Sequence, residues 1–398
     1  MIFMQVKTLT FFSNYYNHHQ KALCDEWYEL LGEGFTFVQT MPMESFRAKM
    51  GWGEDMPSYV LMSYLNEENE QRAKKLADES DLVVMGTAPE YYIEPRLDSG
   101  KIIFRYSERP LKEGFIKFFI PRLTKKYLHM HVRNRNKNIH ILGASAFTAL
   151  DYKKMFGSYP DKCYKFGYFP KLMKYDIDEL MKRKEAIADE AGAPTILWEG
   201  RMLKLKRPDL LVKAAKILKS RGYDFVINFV GEGEMRPRLE AKAYEYGLSD
   251  MITFDDFLSP EMARERMSNY QIYVMTSNFW EGWGSVIYEA LNAGCAVVAS
   301  HACGATPWLV SHGRTGFVFK SGSAVSLADK LEKLLSDKSL VRNLGINAYT
   351  QMTDLWNPIV AARRVISLAE SIENKEECPY TDGPCSKAEY VKNSWFAD

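Results

Sequence analysis

Short runs of β-branched and aromatic residues alternate with longer helix-patterned stretches from one end of the chain to the other. That alternation is the mark of parallel α/β layers. In the first half, strands are predicted at 7–13, 35–40, 81–86, 101–106, 139–142 and 162–168, giving a sheet of about six strands. The pattern lapses between Phe169 and Ala193, where 171–185 is charged and helical. It resumes at 195–200, 224–230, 251–254, 271–276, 296–300 and 316–319. A chain of 398 residues is long for a single core, so two domains are expected. The boundaries predicted are 1–170 for the first, 171–193 for a connector and 194–355 for the second. Trp356-Asn357-Pro358 opens a closing helix over 356–372, and Pro358 suits a first helical turn, where its missing N–H costs nothing. The tail 373–398 is polar and irregular.

Charge and cysteine usage exclude several classes. Lys plus Arg exceed Asp plus Glu by 52 − 51 = 1, so no global field argues for a nucleic-acid partner. No apolar run approaches the roughly eighteen residues of a membrane span. The N-terminus runs from Met1 straight into an apolar stretch without a basic leader or a small-residue cleavage site, which is read as a first strand of a cytoplasmic protein. Cys24, Cys163, Cys295, Cys303, Cys378 and Cys385 lack CxxC spacing, so neither zinc nor a disulfide framework is expected.

The chemistry concentrates in the second half. Glu281 and Glu289 bracket Gly282-Trp283-Gly284-Ser285-Val286-Ile287-Tyr288. The small residues let a ligand approach the backbone, and Val286, Ile287, Ala290 and Leu291 then begin a helix with a buried face. Glu281 falls in the loop before that helix and Glu289 inside it. The unpaired N–H groups and positive dipole end lie between the two carboxylates, a place suited to an anionic ligand carrying sugar hydroxyls. Upstream, Arg201 and Lys206 follow the first strand of the second half, at the carboxyl edge where parallel sheets bind ligands. A guanidinium fork and a mobile ammonium there could neutralise a diphosphate without metal. Read singly, each has a plain alternative: a solvated surface cation, or a Glu on a helix surface.

Taken in order, these pieces resemble the donor domain of retaining glycosyltransferase family 4, of the glycosyl transferases group 1 type. The resemblance runs over about 195–372. It is carried by Gly200-Arg201 with Lys206, Val230-Gly231-Glu232-Gly233, Ile252-Thr253-Phe254, Ser277 through Glu281 to Glu289-Ala290-Leu291, Ala293-Gly294-Cys295-Ala296-Val297-Val298-Ala299 and Thr315-Gly316-Phe317. It implies the GT-B fold, two Rossmann-like domains facing a central cleft, with a C-terminal helix that crosses back to the first. It also implies that Arg201 and Lys206 hold the donor pyrophosphate and that Glu281 contacts the transferring sugar. Glu289 would bind ribose hydroxyls, and Trp283, Gly284, Ser285 and Val286 would offer backbone N–H groups. No cofactor or metal is expected, the nucleotide sugar being the donor substrate.

The first half resembles the family less. Tyr106 or Ser107 stands where many relatives carry a cleft histidine, and Glu108 and Arg109 are candidate cleft contacts, with a surface ion pair as the alternative. Asn14, His18 and His19 fall in the loop after the first strand, expected on the acceptor side. A His there could act as a general base, or could cap the next helix or orient the loop. The resemblance implies instead retention by front-face attack, with the leaving diphosphate taking the proton. Between Lys112 and Lys137, eight Lys or Arg and one acid are interleaved with aromatic and aliphatic residues. Such a segment could rest on anionic lipid at the inner face of a membrane, or form a core helix with one basic face. Asp176-Ile177-Asp178 mimics a metal-binding DxD and is read as chance. The function expected is transfer of a sugar from a nucleotide diphosphate to a hydroxyl of a glycan or lipid-linked acceptor. A catalytically silent sugar-nucleotide or glycan-binding subunit, or an epimerase or phosphorylase on the same fold, are the alternatives.

Overall fold

The structure is a computed structural model that describes residues 5–45 and 56–398; the first four residues of the N-terminal run lie outside it. The chain divides into two compact units. One comprises Met1–Lys171 with Leu355–Lys392, the other Leu172–Asp354 with Asn393–Asp398.

In the first unit, β1 (Leu9–Ser13), β2 (Phe35–Gln39), β3 (Val60–Met62), β4 (Leu82–Met85), β5 (Ile103–Ser107), β6 (Ile139–Gly143) and β7 (Cys163–Lys165) form one sheet. Its order is β3-β2-β1-β4-β5-β6-β7, and every pairing is parallel. The expectation of six strands is therefore corrected to seven. β3 escaped notice because three residues are too few to display a period, and it sits at the sheet edge, paired only with β2. Every residue of β1 and β6 is buried, because helices cover both faces of a parallel sheet.

The second unit holds β8 (Thr195–Glu199), β9 (Val226–Val230), β10 (Ile252–Asp255), β11 (Ile272–Met275), β12 (Ala296–Ser300) and β13 (Gly316–Phe319), in the order β10-β9-β8-β11-β12-β13. These are the six strands the sequence predicts. Ile196, Trp198, Ile227, Phe229 and Val274 pack against Leu210, Leu211, Ala214 and Leu218 of the helix Asp209–Ser220. The stretch 171–193, expected as a connector, is built into this unit. Its helix Ile177–Glu190 is tied to the helix Lys338–Asp354 by Arg342 to Asp178 and Glu185 and by Lys338 to Asp189. Asp176 is that helix's N-cap, accepting from the N–H groups of Asp178 and Glu179, which gives the DxD sequence a structural role.

The closing helix, Pro358–Glu373, begins with Pro358 in its first turn and Asn357 as its cap. It returns to the first unit, where it packs on the helix His18–Leu31, and the buried Trp27 indole donates to the carbonyl of Ala362 at 3.2 Å. No helix among the described residues is long and apolar enough to cross a membrane.

Candidate functional site

The site grows from the carboxyl ends of β8, β9 and β11. After Glu199 the chain turns through Gly200, and the loop after β9 is laid directly upon it. Gly231 and Gly233 both have positive φ, and a Cβ on them would stand 2.3 Å from the Gly200 carbonyl oxygen and 2.6 Å from that of Met202. Only glycine admits that approach. The approach is fixed by the Met202 N–H donating to the Glu232 carbonyl at 2.7 Å. Lys206 is then pinned by its backbone: its N–H donates to the Leu203 carbonyl, and its own carbonyl accepts from the Thr276 hydroxyl at 2.6 Å.

From that position the Lys206 ammonium meets Glu281 with Nζ 2.5 Å from Oε2, their side chains only 18% and 14% exposed. The buried Ser277 hydroxyl donates to the same carboxylate oxygen at 3.0 Å. The two residues are 75 positions apart in sequence and meet because β8 and β11 are sheet neighbours.

Three residues past Glu281, Gly284 adopts φ +89 and caps the helix Ser285–Asn292. A side chain there would strike the Cys303 sulfur at 2.5 Å, and the Cys303 thiol already donates to the Trp283 carbonyl at 2.9 Å. Trp283 is buried rather than exposed, so its contribution to a ligand comes from the backbone. Glu281 in the loop and Glu289 within the helix, with Ser285 and Val286 in the first turn, match the placement read from the sequence. First-turn N–H groups lack acceptors within their own helix and present partial positive charge.

Glu289 is 10% exposed, with Arg264 at 3.4 Å. Burial pushes its carboxyl up to about 7, against the opposing pull of Arg264. Glu199, the last residue of β8, is also raised, to about 8, by burial and by the field of Glu289. Its Oε2 is buried without a hydrogen-bond partner among the described residues. Arg264, Glu199 and Cys303 were not singled out as site residues from the sequence, and Ser277 only as the start of the segment that carries the resemblance. The one available signal was that a carboxylate inside an apolar helix needs a cation, but nothing local says which. Arg201 is exposed and has no ion-pair partner among the described residues.

In the first unit several candidates change character. His18 and His19 lie in the first turn of the helix His18–Leu31 rather than in the loop, and the cap is Asn17, whose side chain accepts from the His19 N–H. Asn14 remains in the loop, its carbonyl accepting from Thr40 and Met41. Glu108 accepts from the Tyr168 hydroxyl at 3.1 Å and pairs with Lys112. Arg109 is corrected from a surface or cleft cation to a buried one: Nε and Nη2 are each 3.1 Å from the Asp151 carboxylate, inside the unit. Tyr106 and Ser107 are likewise bonded internally, to the Gly167 carbonyl and the Tyr152 hydroxyl.

The segment 112–137 breaks into short helical pieces; Phe118 and Tyr127 pack against the core of the first unit, whereas other apolar residues of the segment do not. Phe119 is 84% and Ile116 67% exposed, with Phe115 and Ile120 beside them. The core-helix alternative therefore holds for Phe118 and Tyr127 but not for the exposed stretch that contains Ile116 and Phe119.

Two parallel sheets wound in this way define the GT-B fold. Over 92% of this chain and 100% of the other, the structure matches Anabaena HepE, solved in complex with UDP, with a TM-score of 0.65 at 14% identity. Within the second unit, residues 179–351 match the family model described as glycosyl transferases group 1. An alpha-D-kanosaminyltransferase of Streptomyces kanamyceticus is 31% identical over 176 residues, 44% of this chain and 43% of that one. A D-inositol 3-phosphate glycosyltransferase of Nocardia farcinica is 31% identical over 166 residues, 39% and 36% of the two chains. The matched stretch spans less than half the length of these curated relatives.

Proposed function

We propose that this protein is a glycosyltransferase that moves a sugar from a nucleotide-diphosphate donor to a hydroxyl, retaining anomeric configuration and using no metal. The observation that carries this reading is the Lys206–Glu281 pair at the entrance to a helix that holds Glu289 one turn further in. A donor has a dianionic diphosphate, a ribose diol and a sugar. The second unit offers cations, a partly buried carboxylate acceptor and a loop carboxylate at the same sheet edge. Support comes also from the names of the relatives, both glycosyltransferases, and from the UDP bound to HepE.

In this mechanism Arg201, Lys206 and the first-turn N–H groups take the charge that develops on the departing diphosphate. Glu289 accepts from ribose hydroxyls, and Glu281 contacts the sugar. The acceptor oxygen bonds to the anomeric carbon on the face the diphosphate leaves. The C–O bond to phosphate breaks with its electron pair on the phosphate oxygen, which takes the acceptor's proton.

The test is a thermal-shift panel of UDP-, GDP-, dTDP- and ADP-sugars, with and without EDTA, repeated on Glu289→Ala. Stabilisation by one nucleotide class that survives EDTA and vanishes in the variant is expected. Donor hydrolysis by the pure protein separates an enzyme from a silent binding subunit, which would show none.

The acceptor is read as a glycan, in polysaccharide synthesis, or a lipid-linked glycan at the membrane surface. The exposed cluster Phe115, Ile116, Phe119 and Ile120, flanked by Arg122, Lys125 and Lys126, suits insertion of rings among anionic headgroups. Phe119→Ser with Ile116→Ser should release the protein from phosphatidylglycerol vesicles in co-sedimentation while leaving its melting temperature unchanged. Undiminished sedimentation would remove the membrane from this reading.

A further inference from the structure

On the second unit a cavity of about 250 Å³ lies in the groove between the helices Asp209–Ser220 and Arg236–Glu245. Its rim carries five cations: Lys204, Arg207, Lys213, Arg238 and Lys242. Its one carboxylate, Asp209, is already engaged by Arg207 at 2.9 and 3.2 Å and by Lys213 at 3.0 Å. Lys242 pairs with Glu245 at 2.6 Å. Lys204 and Arg238 have no ion-pair partner among the described residues. The floor is apolar, formed by Val212, Met235 and Leu239, and one wall is the ring of Tyr246.

Cations along exposed helices are ordinarily just solvated. Three things set this group apart. The cations converge on a concavity, they outnumber the single lining acid, and the floor beneath them offers a dry surface to something that is not an ion. Arg207 is moreover held at φ +52, a left-handed conformation unusual for a residue with a side chain, and its guanidinium faces the cavity with Asp209. Backbone strain of this kind persists only where surrounding contacts impose it.

We propose that this groove is a second ligand site, taking an organic phosphate: a phosphate or diphosphate held by Lys204 and Arg238, with an apolar or ring body against Val212, Leu239 and Tyr246. Guanidinium and ammonium groups suit phosphate oxygens, and the Tyr246 ring, which carries Lys216 at 4.2 Å and Lys242 at 5.3 Å from its centroid, adds apolar surface to the wall. The site connects to the Lys206–Glu281 pair through sequence, because Lys204 and Arg207 belong to the same short loop as Lys206. Occupancy therefore alters the donor's apparent affinity. That coupling rests on the donor-site reading above, whereas binding in the groove does not.

The experiment is calorimetric titration with 1-naphthyl phosphate, and separately with dihexanoyl phosphatidate below its micellar concentration, so that a free organic phosphate and a lipid headgroup are told apart. The wild type, the Lys204→Ala/Arg238→Ala pair and the Arg201→Ala/Lys206→Ala pair are compared. The expected result is one-site binding of at least one probe, weakened about tenfold or more in the first pair and retained in the second. Both substituted groove side chains are exposed, so the melting temperature of that pair should stay at the wild-type value. Equal binding by wild type and the groove pair, loss only in the Arg201/Lys206 pair, or no binding of either probe would overturn the proposal. A probe that binds the groove yet leaves donor KM unchanged would overturn the coupling alone.

Discussion

The two units share a winding but differ in how completely the charges at their strand ends are paired. In the first, Arg105 clasps Glu90 at 2.7 and 2.9 Å and Arg109 clasps Asp151, each a bidentate pair within the unit that leaves one buried guanidinium nitrogen, Arg105 Nε or Arg109 Nη1, without a partner among the described residues. In the second, and among the described residues, Arg201 is exposed without an ion-pair partner, Arg264 reaches Glu289 only at 3.4 Å, and Glu199 keeps a buried oxygen without a hydrogen-bond partner. Paired charges of the first kind hold loops in place. Groups of the second kind leave hydrogen-bonding capacity that a ligand can complete, at a standing cost to the free protein.

The sharpest way to break this contrast is to open one of the first unit's pairs. Asp151→Ala leaves the Arg109 guanidinium buried without its partner and strips the acceptor from the Leu111 N–H. A loss of about 3–5 kcal/mol in denaturant unfolding is expected. A change near zero would mean that the first unit's pairs are as dispensable as surface ones.

Lys206→Ala should do the reverse. Turnover should fall about 10²- to 10³-fold, a larger effect than the loss of stability that follows when the 14% exposed Glu281 carboxylate loses its ammonium partner. Parallel loss of turnover and stability would class this pair with Arg109–Asp151.

Gly284→Ala tests the turn that joins the two carboxylates. The positive φ and the contact with Cys303 should cost about 1–3 kcal/mol. Cys303→Ala in the same chain should recover the part due to the clash but not the part due to φ. Recovery in full would show that backbone strain contributes nothing there.

The smallest effect concerns protons. Glu199 sits at about 8 in the folded protein against an ordinary 4.5, so the folded state holds a proton that the unfolded state releases. Its contribution to stability is therefore lost progressively as pH rises from about 4.5 to about 8. Glu199→Gln cannot ionise, so its advantage over wild type should be small at pH 5 and grow to at least about 1 kcal/mol, roughly 2–4 °C, by pH 8.5. An advantage that does not vary with pH would mean that Glu199 is ionised throughout.

Much of this was legible in advance. The apolar alternation placed all six strands of the second sheet, and the small residues after Glu281 located the turn into the helix that carries Glu289. β3 was not legible, because three residues hold no period. Nor was the fate of Arg109, which reads as a cleft contact or one half of a surface ion pair until the helix Thr148–Lys154 brings Asp151 against it from 42 positions away. For Phe119 the sequence left a lipid-facing segment and a core helix both open, and packing leaves the ring in solvent.

The sequence by itself determined the local grammar: which stretches are strand or helix, where glycine must turn the chain, and which side chains carry charge. Those follow from steric and hydrophobic preferences acting over a few residues. Only the tertiary structure decided which charges are paired. A partner across a sheet is chosen by strand order, and strand order is settled by the burial of the whole unit rather than by any segment's own residues. Lys206 and Glu281 meet because β8 lies beside β11.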